Sequence, residues 1–66
     1  MFEEYAVVKL KKDIPEENLK AEDKGTIVMV YPKISDGQDY EVEFSDSEGC
    51  TIALLTLPES VLESAS

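Results

Sequence analysis

Short runs with β-strand character, separated by proline and glycine breaks, constrain the fold of this chain most. The runs are rich in β-branched and aromatic residues, and they cover residues 4–10, 25–31, 40–44 and 50–57. Pro15, Pro32 and Pro58 interrupt or follow these runs, and each lacks the N–H that a central strand needs. The pattern therefore predicts four strands, with a short fifth strand at residues 61–62 before a polar tail.

Alternation within the runs predicts which side chains form the core. Residues 40–44 alternate between aromatic or aliphatic and acidic side chains, so we expect Glu41 and Glu43 to point outward and Tyr40 to point inward. The same rule applied to the other runs gives the rest of the predicted core: Val8, Leu10, Ile27, Val42, Phe44 and Leu54. Between the first two strands we expect a long loop, held to the core by Ile14 and Leu19.

The length of the chain limits its architecture. With 66 residues it forms one domain, which we assign to residues 1–66 with a short polar C-terminal tail. A small bent antiparallel barrel needs fewer residues than a two-sheet sandwich and leaves few open edges. The predicted order is one strand, a long loop, three strands, a one-turn helix and a short strand, which is the order of SH3-like barrels. We therefore predict an all-β, small SH3-like antiparallel barrel; the alternative is an OB-like barrel, which usually needs a longer chain and an additional helix.

The charge balance bears on possible partners. The chain has 15 acidic residues against 6 lysines and no arginine, which gives a formal net charge of −9. This charge repels nucleic acid and anionic membrane surfaces, so we expect neither as a partner. A basic protein is attracted instead. The acidic N-terminus has no signal-peptide pattern and Cys50 is the single cysteine, so we expect a cytoplasmic protein.

Residues suited to catalysis or metal binding are few. The chain has no histidine, and zinc sites need several Cys or His ligands. Cys50 and the serines have no base beside them that would activate a nucleophile. Glu41 and Glu43 share a strand face and could form an acid–base pair. However, no histidine, arginine or aromatic pocket accompanies them in the sequence. The acidic turns do not follow the EF-hand spacing. We predict a non-enzymatic protein without a cofactor or a dedicated metal site.

Four stretches of the chain resemble a known family. They are residues 5–10, 23–31, 40–44 and 51–57. Together they resemble the bacterial family called domain of unknown function 4926, over nearly the whole chain. The resemblance implies a short SH3-like barrel and adds no activity. Members often carry a glycine just before an Asp-x-Gly turn, where this sequence has Glu22, so we expect that turn to be shaped differently. Residues 25–28 are also similar to the opening of KOW-type ribosomal barrels, which are usually basic.

The function predicted from these observations is an acidic protein-interaction module that docks on a basic partner protein. We expect Glu41 and Glu43 to steer the partner, and Tyr5 and Tyr31 to supply aromatic anchors. The two glutamates also fit a plain solubilising role on an outer strand face. Two alternatives stay open: an antitoxin or immunity-like protein that neutralises a toxin encoded nearby, and a structural subunit of a homo-oligomer.

Overall fold

The computed structural model describes residues 2–32 and 37–65, which form an all-β domain. Its strands are β1 (Val7–Leu10), β2 (Lys24–Val30), β3 (Asp39–Ser45), β4 (Thr51–Pro58) and β5 (Leu62–Ser64). There are two short 3₁₀ helices among the described residues: Pro15–Glu17, which begins at a proline, and Glu59–Val61, which follows Pro58. The strands form one antiparallel sheet in the order β4-β3-β2-β1-β5. The prediction of a small all-β domain with five short antiparallel strands and a long loop after the first is confirmed.

The position of β2 at the centre of the sheet agrees with its apolar character on both faces. Ile27 is fully buried, whereas Met29 on the outer face is 49% exposed. The register with β3 shifts between these two residues, which makes Val28 an extra residue in β2. Such a β-bulge bends a strand and increases its twist, so β2 curves around the core.

The core consists of inward-facing strand residues together with one residue of the long loop. Its buried members are Val8, Leu10, Leu19, Ile27, Tyr40, Val42, Phe44 and Leu62. Every predicted core residue except Leu54 is among them. The prediction for Leu54 is wrong, because this side chain is 54% exposed.

A bulge in β4 explains why Leu54 points outward. The turn pairs Asp46 with Cys50, and regular pairing from there would set Leu54 opposite Val42 on the inner face. The register shifts after Ser45, however, and leaves Ile52 as an extra residue. Leu54 then lies opposite Glu43 on the outer face, since a slip of one residue exchanges the two faces of a strand.

The long loop is held to the core as predicted. Ile14 and Leu19 exchange two backbone hydrogen bonds, with N···O distances of 2.9 and 3.1 Å. Leu19 is buried among the core residues, and Ile14 packs against them. The loop therefore closes on itself between these two anchors, with the first 3₁₀ helix between them.

The turn into β2 contains a residue in the left-handed region of backbone conformation. Glu22 has a φ of 78°, a value that favours glycine. Glu22 therefore adopts the backbone conformation that glycine favours, and the expected difference in the shape of the turn stays a prediction. The Glu22 side chain pairs with Lys9, with 3.0 Å between Oε1 and Nζ, and this hydrogen bond raises the pKa of the Lys9 ammonium.

The turn between β3 and β4 has the predicted shape. Gly49 has a φ of 84°, and a turn position with a positive φ favours glycine. Asp46 Oδ1 accepts hydrogen bonds from the backbone N–H groups of Glu48 and Cys50, at 2.9 and 3.0 Å. The turn between β2 and β3 was predicted to have its tip at Asp36 and Gly37, and Asp36 lies outside the described residues.

Candidate functional site

The two candidate glutamates lie side by side on the outer face of β3. Glu41 and Glu43 are both half-buried, and they alternate with buried residues of the same strand. Their outward orientation is as predicted from the alternation. We call this pair the acidic strip. It stands one strand in from the β4 edge of the sheet, with β2 on its other side.

Hydroxyl groups from neighbouring segments hold both carboxylates. Tyr31 Oη and Thr56 Oγ1 donate hydrogen bonds to Oε1 of Glu41, at 3.1 and 2.7 Å. Thr51 Oγ1 donates to Oε2 of Glu43, also at 2.7 Å. Hydrogen bonds to an ionised acceptor are stronger than neutral ones, so they restrict the carboxylate rotamers. In residues 2–32 and 37–65, Oε2 of Glu41 has no donor and remains able to accept one from a partner.

Exposed apolar side chains flank the acidic strip on both sides. In the register of the sheet, Met29 of β2 lies opposite Glu41, and Leu54 of β4 lies opposite Glu43. About half of each apolar side chain is accessible to solvent. Ile52, at the start of β4, is exposed to a similar degree. Apolar surface next to charge is characteristic of interaction sites, because the apolar groups supply affinity and the charges supply orientation.

The two candidate tyrosines occupy different places. Tyr31 follows the end of β2 and is half-buried against the acidic strip through its bond to Glu41. Tyr5 precedes β1, is 69% exposed and donates its backbone N–H to the carbonyl of Ile27. Within the described residues, the Tyr5 side chain makes neither a hydrogen bond nor a ring contact with the other three candidates. The structure therefore brings Tyr31 to the acidic strip and leaves Tyr5 apart.

Sequence reasoning missed the threonines and the apolar residues of this face. Thr56 lies opposite Glu41 because the β4 bulge shifts the register between β3 and β4, whereas Thr51 lies opposite Ser45 on the turn side of that bulge. Met29 is outward because of the β2 bulge. These residues belong to strands in which neighbouring positions are both apolar. Without alternation between polar and apolar residues, the sequence does not specify which face of the strand is exposed.

A second polar cluster connects the N-terminus to the core. The Tyr40 hydroxyl accepts a hydrogen bond from the backbone N–H of Phe2 at 2.9 Å and donates one to Oε2 of Glu59 at 3.1 Å. The Phe2 and Tyr40 rings pack in a tilted arrangement with 5.5 Å between their centres. Burial raises the pKa of the Tyr40 phenol, and the Glu59 carboxylate raises it further. This cluster joins Phe2 to β3 and to the second 3₁₀ helix.

The described residues contain neither a metal-binding cluster nor a membrane-spanning helix. In residues 2–32 and 37–65, no group of three or more His, Cys, Asp or Glu side chains is arranged to hold a metal ion. Over the same ranges, no helix has the length and apolar character needed to cross a membrane. Cys50 is a free, exposed cysteine at the turn before β4.

The fold and this surface define a small all-β protein with an acidic, partly apolar sheet face. The model of the family described as Domain of unknown function (DUF4926) matches residues 4–64, so the chain belongs to that family. The resemblance seen in the sequence is thereby confirmed at the level of the family. No curated protein and no solved structure matches the chain.

Proposed function

We propose that this protein is a non-enzymatic interaction module that docks on a basic partner protein through the outer face of β2, β3 and β4. The observation that carries the proposal is the acidic strip, held by three hydroxyl groups and flanked by exposed Met29 and Leu54. The carboxylates are oriented before a partner arrives, so less conformational entropy is lost when they bind a cation.

Charge and apolar contact have separate roles in this proposal. The net charge of −9 accelerates the approach of a basic protein, and the acidic strip gives the encounter a direction. Affinity comes from burying Met29 and Leu54, since charged groups at a solvated surface contribute little by themselves. Tyr31 supports both roles, because its ring adds contact area and its hydroxyl orients Glu41.

We place this function in the bacterial cytoplasm. The resemblance of the sequence to a bacterial family and the single free cysteine support this location. Net repulsion of anionic surfaces favours a protein partner over nucleic acid or membrane. If the partner is a basic toxin encoded nearby, the module acts as an antitoxin or immunity-like protein.

Affinity capture from the native host tests the proposal with two matched variants. Glu41→Gln with Glu43→Gln removes the charge of the acidic strip, and Glu3→Gln with Glu4→Gln removes the same charge from the exposed N-terminal segment. We expect the wild-type protein and the N-terminal variant to retain one basic protein that the strip variant loses. Equal retention by the strip variant, or capture of no specific protein, would overturn the proposal. Light scattering on the purified protein separates this result from self-assembly.

A further inference from the structure

Within residues 2–32 and 37–65, β4 forms a long edge of the sheet, and loop residues 12–16 share a cleft with Leu57 and Pro58 at one end of it. The strand itself carries little of the usual protection. It is the last strand in the sheet order, and its eight residues include no charged side chain. Exposed edges are commonly protected by lysine, by central prolines or by being very short, because their free N–H and C=O groups can pair with another chain. In β4 the single proline, Pro58, stands at the end of the strand. The opposite edge, β5, has only three residues.

The inner side of β4 is also less covered than the rest of the core. Its inward residues Ala53, Leu55 and Leu57 pack against the core but remain partly exposed. At the other edge Leu62 of β5 is only 2% exposed. An additional strand beside β4 would cover these three side chains, so apolar residues on its inner face would gain buried area.

The acidic strip determines the charge that suits the outer face of an added strand. Such a strand would lie two strand spacings from β3, about 10 Å. A lysine or arginine side chain on it can extend over the small Thr56, which lies opposite Glu41, and reach that carboxylate. A second copy of this chain would instead pair through its own uncharged β4. Its acidic strip would then lie near the first one, and the two strips would repel each other. The charges therefore favour a basic strand over a second copy.

We propose that the free edge of β4 accepts an extended segment of the partner protein as an additional strand, with lysine or arginine alternating with apolar residues. This inference rests on the proposed function and specifies its mode of binding. Main-chain hydrogen bonds supply affinity, and the alternating side chains give specificity. Addition occurs along residues 53–57, because the bulge at Ile52 interrupts the strand on one side and Pro58 lacks an N–H on the other.

Amide hydrogen exchange, measured by NMR on the full chain, tests this inference. The probe is a short synthetic peptide that alternates lysine and valine, and its control is the same peptide with methylated backbone nitrogens. We expect the first peptide to slow exchange at alternate amides of residues 53–57. The methylated peptide keeps the charge but cannot donate main-chain hydrogen bonds, so we expect it to leave exchange unchanged.

Two single substitutions provide the matched control on the protein side. Leu54→Lys adds one positive charge on β4, and Glu3→Gln raises the net charge by the same amount in the exposed N-terminal segment. We expect Leu54→Lys to weaken peptide binding about tenfold and Glu3→Gln to have a much smaller effect.

Three results would overturn strand addition. One is unchanged β4 exchange at saturating peptide, with shifts confined to the acidic strip; the proposed function would then stand without this mode of binding. Another is the absence of any peptide binding. The third is protection of β4 that grows with protein concentration without peptide, which would assign the edge to a second copy. Failure of the proposed function itself appears separately, as capture that is indifferent to the strip glutamates.

Discussion

The hydroxyl of Tyr31 donates a hydrogen bond to Oε1 of Glu41 and thereby connects the end of β2 to the outer face of β3. We expect Tyr31→Ala to speed dissociation of the partner, because the variant loses contact area and frees the Glu41 rotamer. Tyr31→Phe keeps the ring and should have an intermediate effect. Dissociation rates measured by surface plasmon resonance on the captured partner test this. Equal rates for all three proteins would remove Tyr31 from the interface.

Burial predicts very different effects of truncating two large side chains. Phe44 is 1% exposed in the core, so Phe44→Ala should lower the free energy of unfolding by about 3–5 kcal/mol, enough to unfold a small domain. Leu54→Ala is the control, and its effect should be far smaller, because that side chain lies on the outer face. Circular-dichroism melts distinguish the two. A larger loss of stability for Leu54→Ala would contradict the observed register of β4.

The contrast between these two residues shows how far the sequence predicts the structure. Tyr40, Val42 and Phe44 are separated by glutamates, and charge decides which face of β3 is outward. The run containing Leu54 has no charged residue, so either face could be buried. Its choice depends on a one-residue bulge at Ile52, which is set by packing between strands and has no local signal of its own.

The candidate site shows the same limit. The acidic strip was evident from the alternation in β3, whereas its hydroxyl partners and apolar neighbours belong to strands whose registers contain bulges. Tyr5 is exposed as expected for a contact residue, yet its segment pairs with Ile27 on the β1 side of β2, whereas the strip lies on β3 at the other side. Its assignment to the partner interface stays a prediction.

Close packing of β2 against β3 predicts a specific cost at Gly25. A Cβ atom at this position would lie 2.7 Å from Cγ1 of Val42 and 2.9 Å from Cε1 of Phe44. Gly25→Ala should therefore force the core to shift and destabilise the fold by about 1–3 kcal/mol. Urea denaturation measures this change. An alanine variant as stable as the wild-type protein would mean that Phe44 and Val42 are not packed against Gly25.

The raised pKa of Tyr40 predicts a loss of stability in alkali. Below the ordinary tyrosine value of 10.0 the phenol is protonated in both the folded and the unfolded state. As the pH rises above that value, the unfolded state ionises first, so the free energy of unfolding falls until the folded phenol ionises as well. We expect Tyr40→Phe to reduce this alkaline decline, although it loses the hydrogen bonds to Phe2 and Glu59 at all pH values. Urea denaturation at increasing pH tests the sign, and an identical decline in the variant would contradict it.

The association rate with the captured basic partner, measured over a range of salt concentrations, tests the docking surface most directly. Glu41→Lys with Glu43→Lys should slow association and flatten its dependence on salt, because the acidic strip then repels the partner. Glu3→Lys with Glu4→Lys changes the net charge equally and should retain more of both the rate and its salt dependence. We therefore expect the two charge-reversed proteins to differ in association rate and in its salt dependence. An association rate indifferent to the strip glutamates and to salt would contradict it.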